Sequence, residues 1–183
     1  YTIIPTGPAP TYCVGAQITA AVTVSPVPSV TSALWKNICN STSVNYIPLS
    51  AVANTTFSWV ASVFITPNGG TITGFSPTGS GNINDVLVNT GTSYGTVKYV
   101  IIPTGPAPTY CVGNPFEMLV NVSPTPVVTA TPSATSFCSG GNTNITLSTD
   151  VQNTTFYYAA PTISGAPGNI TGGTARPAPG NIN

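Results

Sequence analysis

Histidine is missing from this 183-residue sequence, and charge nearly so: three Lys or Arg and three Asp or Glu balance to a formal net charge of zero. A nucleic-acid binder needs clustered cations to neutralise phosphates, and three basic residues spread over the chain cannot supply them. The same count removes polybasic attraction to anionic lipid. General acid–base and nucleophilic catalysis need His, paired carboxylates or an activated nucleophile. The acids are Asp85, Glu117 and Asp150; Asp85 and Glu117 have the option of approaching each other in the fold, but each reads more simply as a solvated strand residue. The chain is therefore expected not to be an enzyme. No apolar run approaches the roughly 18 residues of a membrane helix, so no direct membrane insertion is expected. The four cysteines have neither His partners nor CxxC spacing, which argues against zinc. No cofactor is expected. No signal peptide is visible; residue 1 is a Tyr inside a strand-like run, so the start is expected to be a cut edge.

What is present reads as all-β. The hydrophobic share is 41 %, with eight Tyr, six Phe and two Trp available for cores. Thr, Val, Ile, Tyr and Phe favour a pleated surface, while Gly, Pro and Asn punctuate turns. In such a chain the cysteines suggest disulfides and an oxidising compartment.

A repeat organises the chain. The stretch IIPTGPAPTYCVG runs from Ile3 to Gly15 and recurs from Ile101 to Gly113, about 98 residues on. Val52-Ala-Asn-Thr-Thr-Phe57 is echoed by Val151-Gln-Asn-Thr-Thr-Phe156, and Gly81-Asn-Ile-Asn84 by Gly180-Asn-Ile-Asn183. Proline-rich joints, Val24-Ser-Pro-Val-Pro28 and Val122-Ser-Pro-Thr-Pro126, mark the boundaries. Proline cannot donate to a ladder and stiffens the chain, so these are short semi-rigid linkers. Residues 1–26 are the C-terminal part of one repeat, 27–124 a complete repeat, and 125–183 the N-terminal part of a third. A unit of about 98 residues is the size of an immunoglobulin-like sandwich.

Seven strands are predicted in the complete repeat, near Val27–Ala33, Ser43–Ser50, Thr56–Phe64, Gly70–Thr73, Ile83–Asn89, Thr96–Thr104 and Phe116–Ser123. Alternation puts Phe57, Trp59, Ala61 and Val63 on one face. Val97, Tyr99 and Ile101 share another, and Phe116, Met118, Val120 and Val122 a third, with Glu117 and Asn121 outward. Turns are predicted at Pro67–Gly70, Ser76–Gly81 and Asn89–Gly91.

These residues carry a resemblance. With the repeats overlaid, the order within a unit is Cys-Ser-Gly (Cys138) and Asn-Ile-Thr-Leu-Ser from the third repeat, then Asn-Thr-Thr-Phe-x-Trp ending at Trp59 of the complete one. Thr73-Gly-Phe-Ser76, Gly-Asn-Ile-Asn, and a Tyr-x-Ile-x-Pro-Thr strand follow, then a Cys-x-Gly loop and Val-Asn-Val-Ser-Pro. Together they resemble the PKD-like, immunoglobulin-like repeats of giant Bacteroidota surface proteins, including gliding-motility adhesins and other type IX secretion substrates. The resemblance implies tandem Ig-like β-sandwiches and an extracellular, cell-surface address. It carries over no catalytic or binding residues. Departures exist: the PKD signature resembling Trp-Asp-Phe-Gly-Asp-Gly is absent, Cys39 lies in Ile-Cys-Asn-Ser, and Tyr158 stands where the complete repeat has Trp59.

Phe57, Trp59, Tyr99 and Phe116 are expected core anchors, with Phe156 and Tyr158 their counterparts in the third repeat. Trp35, Tyr12 and Tyr110 are expected in loops, as candidates for surface contact. Calcium at the joints would need several carboxylates, and the joints are read as offering none. A Lys–Asn isopeptide has one tempting set, Lys98 with Asp85; Lys98 reads more simply as a lone charge at a sheet edge. Six Asn-x-Ser/Thr sequons, at Asn40, Asn54, Asn121, Asn144, Asn153 and Asn169, carry little information in so Asn- and Thr-rich a chain. Trypsin is expected to cut only after Lys36 and Lys98, since Arg176 precedes Pro177.

The expected role is mechanical: repeats extending an adhesive tip or filament body away from the cell. The expected partners are neighbouring repeats, other copies in a filament, or a glycan or protein ligand. A ligand-binding module and a passive spacer in a secreted enzyme are the alternatives. Cys13, Cys39, Cys111 and Cys138 are disulfide candidates. Each unit has an early cysteine (Cys39, Cys138) and a late one (Cys13, Cys111), which suggests a Cys39–Cys111 bond. An Ig-like topology argues instead that Cys39, preceding the second strand, and Cys111, preceding the last, lie at opposite poles. Each would then pair with a cysteine of a neighbouring repeat.

Overall fold

The computed structural model describes residues 1–160 and 162. The echo at 180–183, the sequon at Asn169 and Arg176 lie outside them. Twelve strands and no helix appear among the described residues. The complete repeat holds β3 (Trp35–Cys39), β4 (Thr42–Ser43), β5 (Thr56–Ile65), β6 (Ile72–Thr73), β7 (Thr78–Ser80), β8 (Val86–Asn89), β9 (Gly95–Thr104) and β10 (Phe116–Ser123). Five of them form a sheet in the order β3-β10-β9-β5-β7, and three form a second in the order β4-β8-β6. This is an all-β, Ig-like sandwich.

Alternation produces the core directly. Pairing of β5, β9 and β10 aligns Ala61 with Tyr99 and Met118, and Val63 with Val97 and Val120, so the apolar positions form rows across one sheet face. Val44, Tyr46, Ile72, Ile83 and Leu87 complete the buried cluster from the opposite layer. Trp59 is buried, its ring meeting Tyr99 edge-on at 5.5 Å between centroids. Phe57 and Phe116 are half-buried against the cluster. Among the described residues every buried hydrophobic side chain of the core cluster lies between Val44 and Val122, within residues 27–124.

Three element predictions need correction. Ser43–Ser50 is not one strand: β4 ends at Ser43, Asn45 turns the chain with a left-handed φ of 43°, and only an isolated bridge from Tyr46 to Ile83 continues the pairing. Residues 27–33 are not a regular strand; Thr31 N–H donates to Leu49 O at 2.8 Å, and the chain then crosses to the other sheet as β3, parallel to β10. The Ser76–Gly81 segment, read as a turn, contains β7, which pairs with β5. Gly79 sits under the Trp59 indole, where a Cβ would come within 2.2 Å of a ring carbon. Its glycine is a packing requirement within a strand rather than a turn signal.

In residues 1–26, β1 (Thr2–Ile3) pairs with β2 (Ile18–Thr19). Thr2↔Thr19 and Ile3↔Ile18 reproduce the register of Val100↔Glu117 and Ile101↔Phe116 in β9 and β10. In the third repeat β11 (Val128–Pro132) pairs with β12 (Ile145–Thr149). Phe156 and Tyr158 are half-buried there.

Candidate functional site

The joints are where the sequence places its least ordinary residues. The chain enters the complete repeat through Ser25–Pro28 and meets the loop joining β9 to β10. That loop closes on itself: Gly105 N–H donates to Cys111 O at 2.8 Å, Tyr110 N–H to Pro106 O at 3.2 Å, and Gly113 N–H to Pro103 O at 2.8 Å. Tyr110 takes a left-handed φ of 47° at the tip, a conformation costly for a bulky residue unless its surroundings hold it. Gly113 faces the linker so closely that a Cβ would lie 1.9 Å from Pro28 O. Only glycine permits that approach. Pro28 and Pro103 are fully buried in the contact, and Cys111 Sγ lies 3.9 Å from Ser25 O.

The identical stretch in residues 3–15 folds identically. Gly7 N–H donates to Cys13 O at 2.8 Å, Tyr12 N–H to Pro8 O at 3.2 Å, and Gly15 N–H to Pro5 O at 2.9 Å. Tyr12 has a φ of 46°. The loop's shape is thus a property of its own residues, independent of what lies beside it.

The chain leaves the repeat at the other end of β10. There Asn40 N–H donates to Ser123 O at 2.9 Å, and Ser123 is the register partner of Cys39. Asn89, buried, braces this pole. Its Nδ2 donates to Ser93 O at 2.9 Å and Val122 O at 2.8 Å, its Oδ1 accepts Gly91 N–H, and its own N–H donates to Asn40 Oδ1. The Asn89–Gly91 turn was legible in the sequence, but not the buried amide that ties it to the last strand.

Beyond the linker, Asp150 Oδ1 accepts Val127 N–H at 2.9 Å. That hydrogen bond is the largest influence holding the Asp150 carboxyl below its ordinary range. The reading that the joints offer no carboxylate is therefore corrected. Asp150 is spent on a backbone amide, and no cluster of three His, Cys, Asp or Glu able to hold a metal occurs among the described residues.

The remaining predicted residues fall as follows. Tyr12, Trp35 and Tyr110 are each about three-fifths exposed. Trp35 is not in a loop: it opens β3, opposite Leu119. Cys39 ends that strand, and all four cysteines are free thiols, Cys111 being the least exposed. Lys98 is not at a sheet edge. It stands on the outer face of the central strand β9, 3.0 Å from Glu117 Oε1, with its ammonium over the Phe64 ring. Asp85 lies on the other side, where it accepts the Tyr99 hydroxyl at 2.8 Å and the Ser76 N–H and hydroxyl. Lys98 and Tyr99 are consecutive strand residues and point to opposite faces. That disposes of the Lys98–Asp85 isopeptide and of an Asp85–Glu117 pair. Lys36 Nζ donates to Val44 O at 2.6 Å and Asn45 O at 3.1 Å, so this cation clips β3 to the opposite layer.

The PKD-like domain family matches residues 36–126, nearly the whole of the complete repeat. No curated protein and no solved structure matches the chain. PKD-like domains are Ig-fold modules, typically non-catalytic and usually found in extracellular or surface proteins.

Proposed function

We propose, taking the complete repeat as a PKD-like extracellular module, that the chain is a segment of the stalk of a cell-surface adhesin or filament. The observation that carries this reading is the placement of the two linkers. Ser25–Pro28 docks beside the start of β10 and Ser123 ends β10, so the chain enters and leaves at opposite poles. Repeats joined in that way add length, at roughly one strand span of ~26–34 Å each. Export by type IX secretion and a part in gliding belong to the same proposal, on the resemblance described above. Neighbouring repeats are the first partners, and other copies or a surface ligand come next. An antibody raised against residues 27–124 should label intact cells; labelling only after permeabilisation would overturn the surface assignment.

A second reading, contact with a glycan or protein through the loop tips, draws support from Tyr12 and Tyr110, exposed at equivalent tips with matching geometry. Substituting both by Ala should then weaken adhesion without changing stability.

A further inference from the structure

We infer that each joint flanked by two complete repeats is closed by a disulfide. It links the early cysteine of the leading repeat to the late cysteine of the next, across the linker serine. The inference deepens the stalk reading and rests on two contacts at one sequence position. Cys39 is the register partner of Ser123, where the chain leaves the repeat. Cys111 has its Sγ 3.9 Å from the carbonyl oxygen of Ser25, where the chain comes in. Ser25 and Ser123 are the same position of the repeat, the serine of Val-Ser-Pro-x-Pro. A joint with a whole repeat on each side therefore brings an early cysteine alongside this serine from one unit and a late cysteine against it from the other.

Within one repeat the same two cysteines cannot meet. Cys39 lies beside the last residue of β10 and Cys111 in the loop before its first. Seven residue steps at about 3.4 Å separate those ends by ~24 Å. A disulfide tolerates roughly 7 Å between Cα atoms. The free thiols of the chain follow: Cys39 and Cys111 are the early and late cysteines of one repeat, while Cys13 and Cys138 belong to different repeats at non-adjoining poles.

The reaction is thiol–disulfide exchange. Two thiols form one S–S bond, and their two electrons and two protons reduce the oxidant's disulfide to two thiols. The oxidant is a small or protein disulfide, oxidised glutathione in the test below. Cys39 is exposed and Cys111 partly so, which leaves both open to attack.

Residues 27–124 hold the whole buried apolar cluster of the described residues, so two copies in tandem, checked first for cooperative unfolding, test the inference. Joining Pro124 to Val27 regenerates the natural Ser-Pro-Val-Pro joint of Ser25–Pro28. After oxidised glutathione, the single repeat should hold no Cys39–Cys111 crosslink, its cysteines being free thiols or mixed disulfides with glutathione. The two-repeat protein should hold one Cys39–Cys111 crosslink, with its two other cysteines free or glutathione-capped, read by intact mass and non-reduced peptide mapping. Cys39→Ser in the leading copy alone should abolish the crosslink, and Cys111→Ser in that copy should leave it. A crosslink in the single repeat, or none in the folded two-repeat protein, would overturn the inference. The length of the array under reducing conditions tests the stalk reading separately, because it requires no disulfide.

Discussion

The Tyr99 hydroxyl donates to Asp85 Oδ2 at 2.8 Å, tying the central strand of one sheet to the chain entering β8 of the other. Asp85 also holds the Ser76 N–H and hydroxyl, so one carboxylate fastens three segments. Removing the phenol leaves part of that carboxylate unpaired. Tyr99→Phe should lower the stability of the repeat by about 1–3 kcal/mol, measured by urea unfolding. A null effect would show that solvent replaces the phenol freely.

The same pair sets an alkaline limit. Burial, and then the Asp85 hydrogen bond and charge, raise the Tyr99 phenol well above its ordinary value near 10. The folded state therefore keeps this proton where the unfolded chain loses it. The stabilisation is complete below about pH 10 and declines as pH rises beyond it, because the unfolded state binds fewer protons there. Tyr99→Phe should flatten the fall in stability between pH 10 and 11. Tyr46, also raised by burial, should sustain what slope remains. An unchanged slope would place the phenol in solvent.

Trp59 packs edge-on against Tyr99 and covers Gly79, yet its buried Nε1 has no hydrogen-bond partner among the described residues. Trp59→Ala should cost roughly 3–5 kcal/mol, the usual range for deleting a buried large aromatic. Trp59→Phe loses less volume and also removes the unpaired donor, so about 1–2 kcal/mol is expected. Equal losses for the two variants would mean that a phenyl ring recovers none of the packing against Tyr99 and Gly79, contrary to this account.

How much was legible follows from which signals are local. Period-two alternation identified β5, β9 and β10 and the rows through Trp59, Tyr99 and Met118, because each inner face is written in consecutive residues. The short edge strand β7 was missed because its glycine answers to an indole some twenty residues away. Trp35 looked like a loop residue because β3 pairs in parallel with a strand more than eighty residues on, and sequence carries no local mark of that partner. Lys98 looked like an edge charge for a related reason: the central place of β9 is a fact of sheet order. Asn89 read as a turn residue, and only the fold reveals the buried amide reaching Val122 O. The joint residues Pro28 and Gly113 were visible as Pro and Gly, but not as partners.

That partnership gives a paired prediction from two copies of one loop. A methyl group on Gly113 would meet Pro28 O at 1.9 Å, whereas at Gly15 the nearest atom is a Pro5 ring carbon at 3.0 Å. Gly113→Ala should therefore destabilise the repeat by about 1–3 kcal/mol, while Gly15→Ala should leave its urea midpoint unchanged. Similar behaviour of the two variants would mean that the linker does not dock as described.

With six ionisable Asp, Glu, Lys and Arg side chains in 183 residues, little exists for salt to screen. Self-association or adhesion through these repeats should hold within about twofold from low salt to about 0.5 M NaCl. A tenfold loss, measured by sedimentation or surface binding, would assign the interaction to charges elsewhere.

The central claim is that linkers at opposite poles make each repeat an increment of length. Small-angle X-ray scattering on proteins of one, two, three and four copies of residues 27–124, under reducing conditions, tests it most directly. The account predicts a maximum dimension that grows linearly, by about 30–40 Å per repeat, a strand span plus its linker. A maximum dimension that levels off as repeats are added, as in a folded-back or compact array, would contradict it.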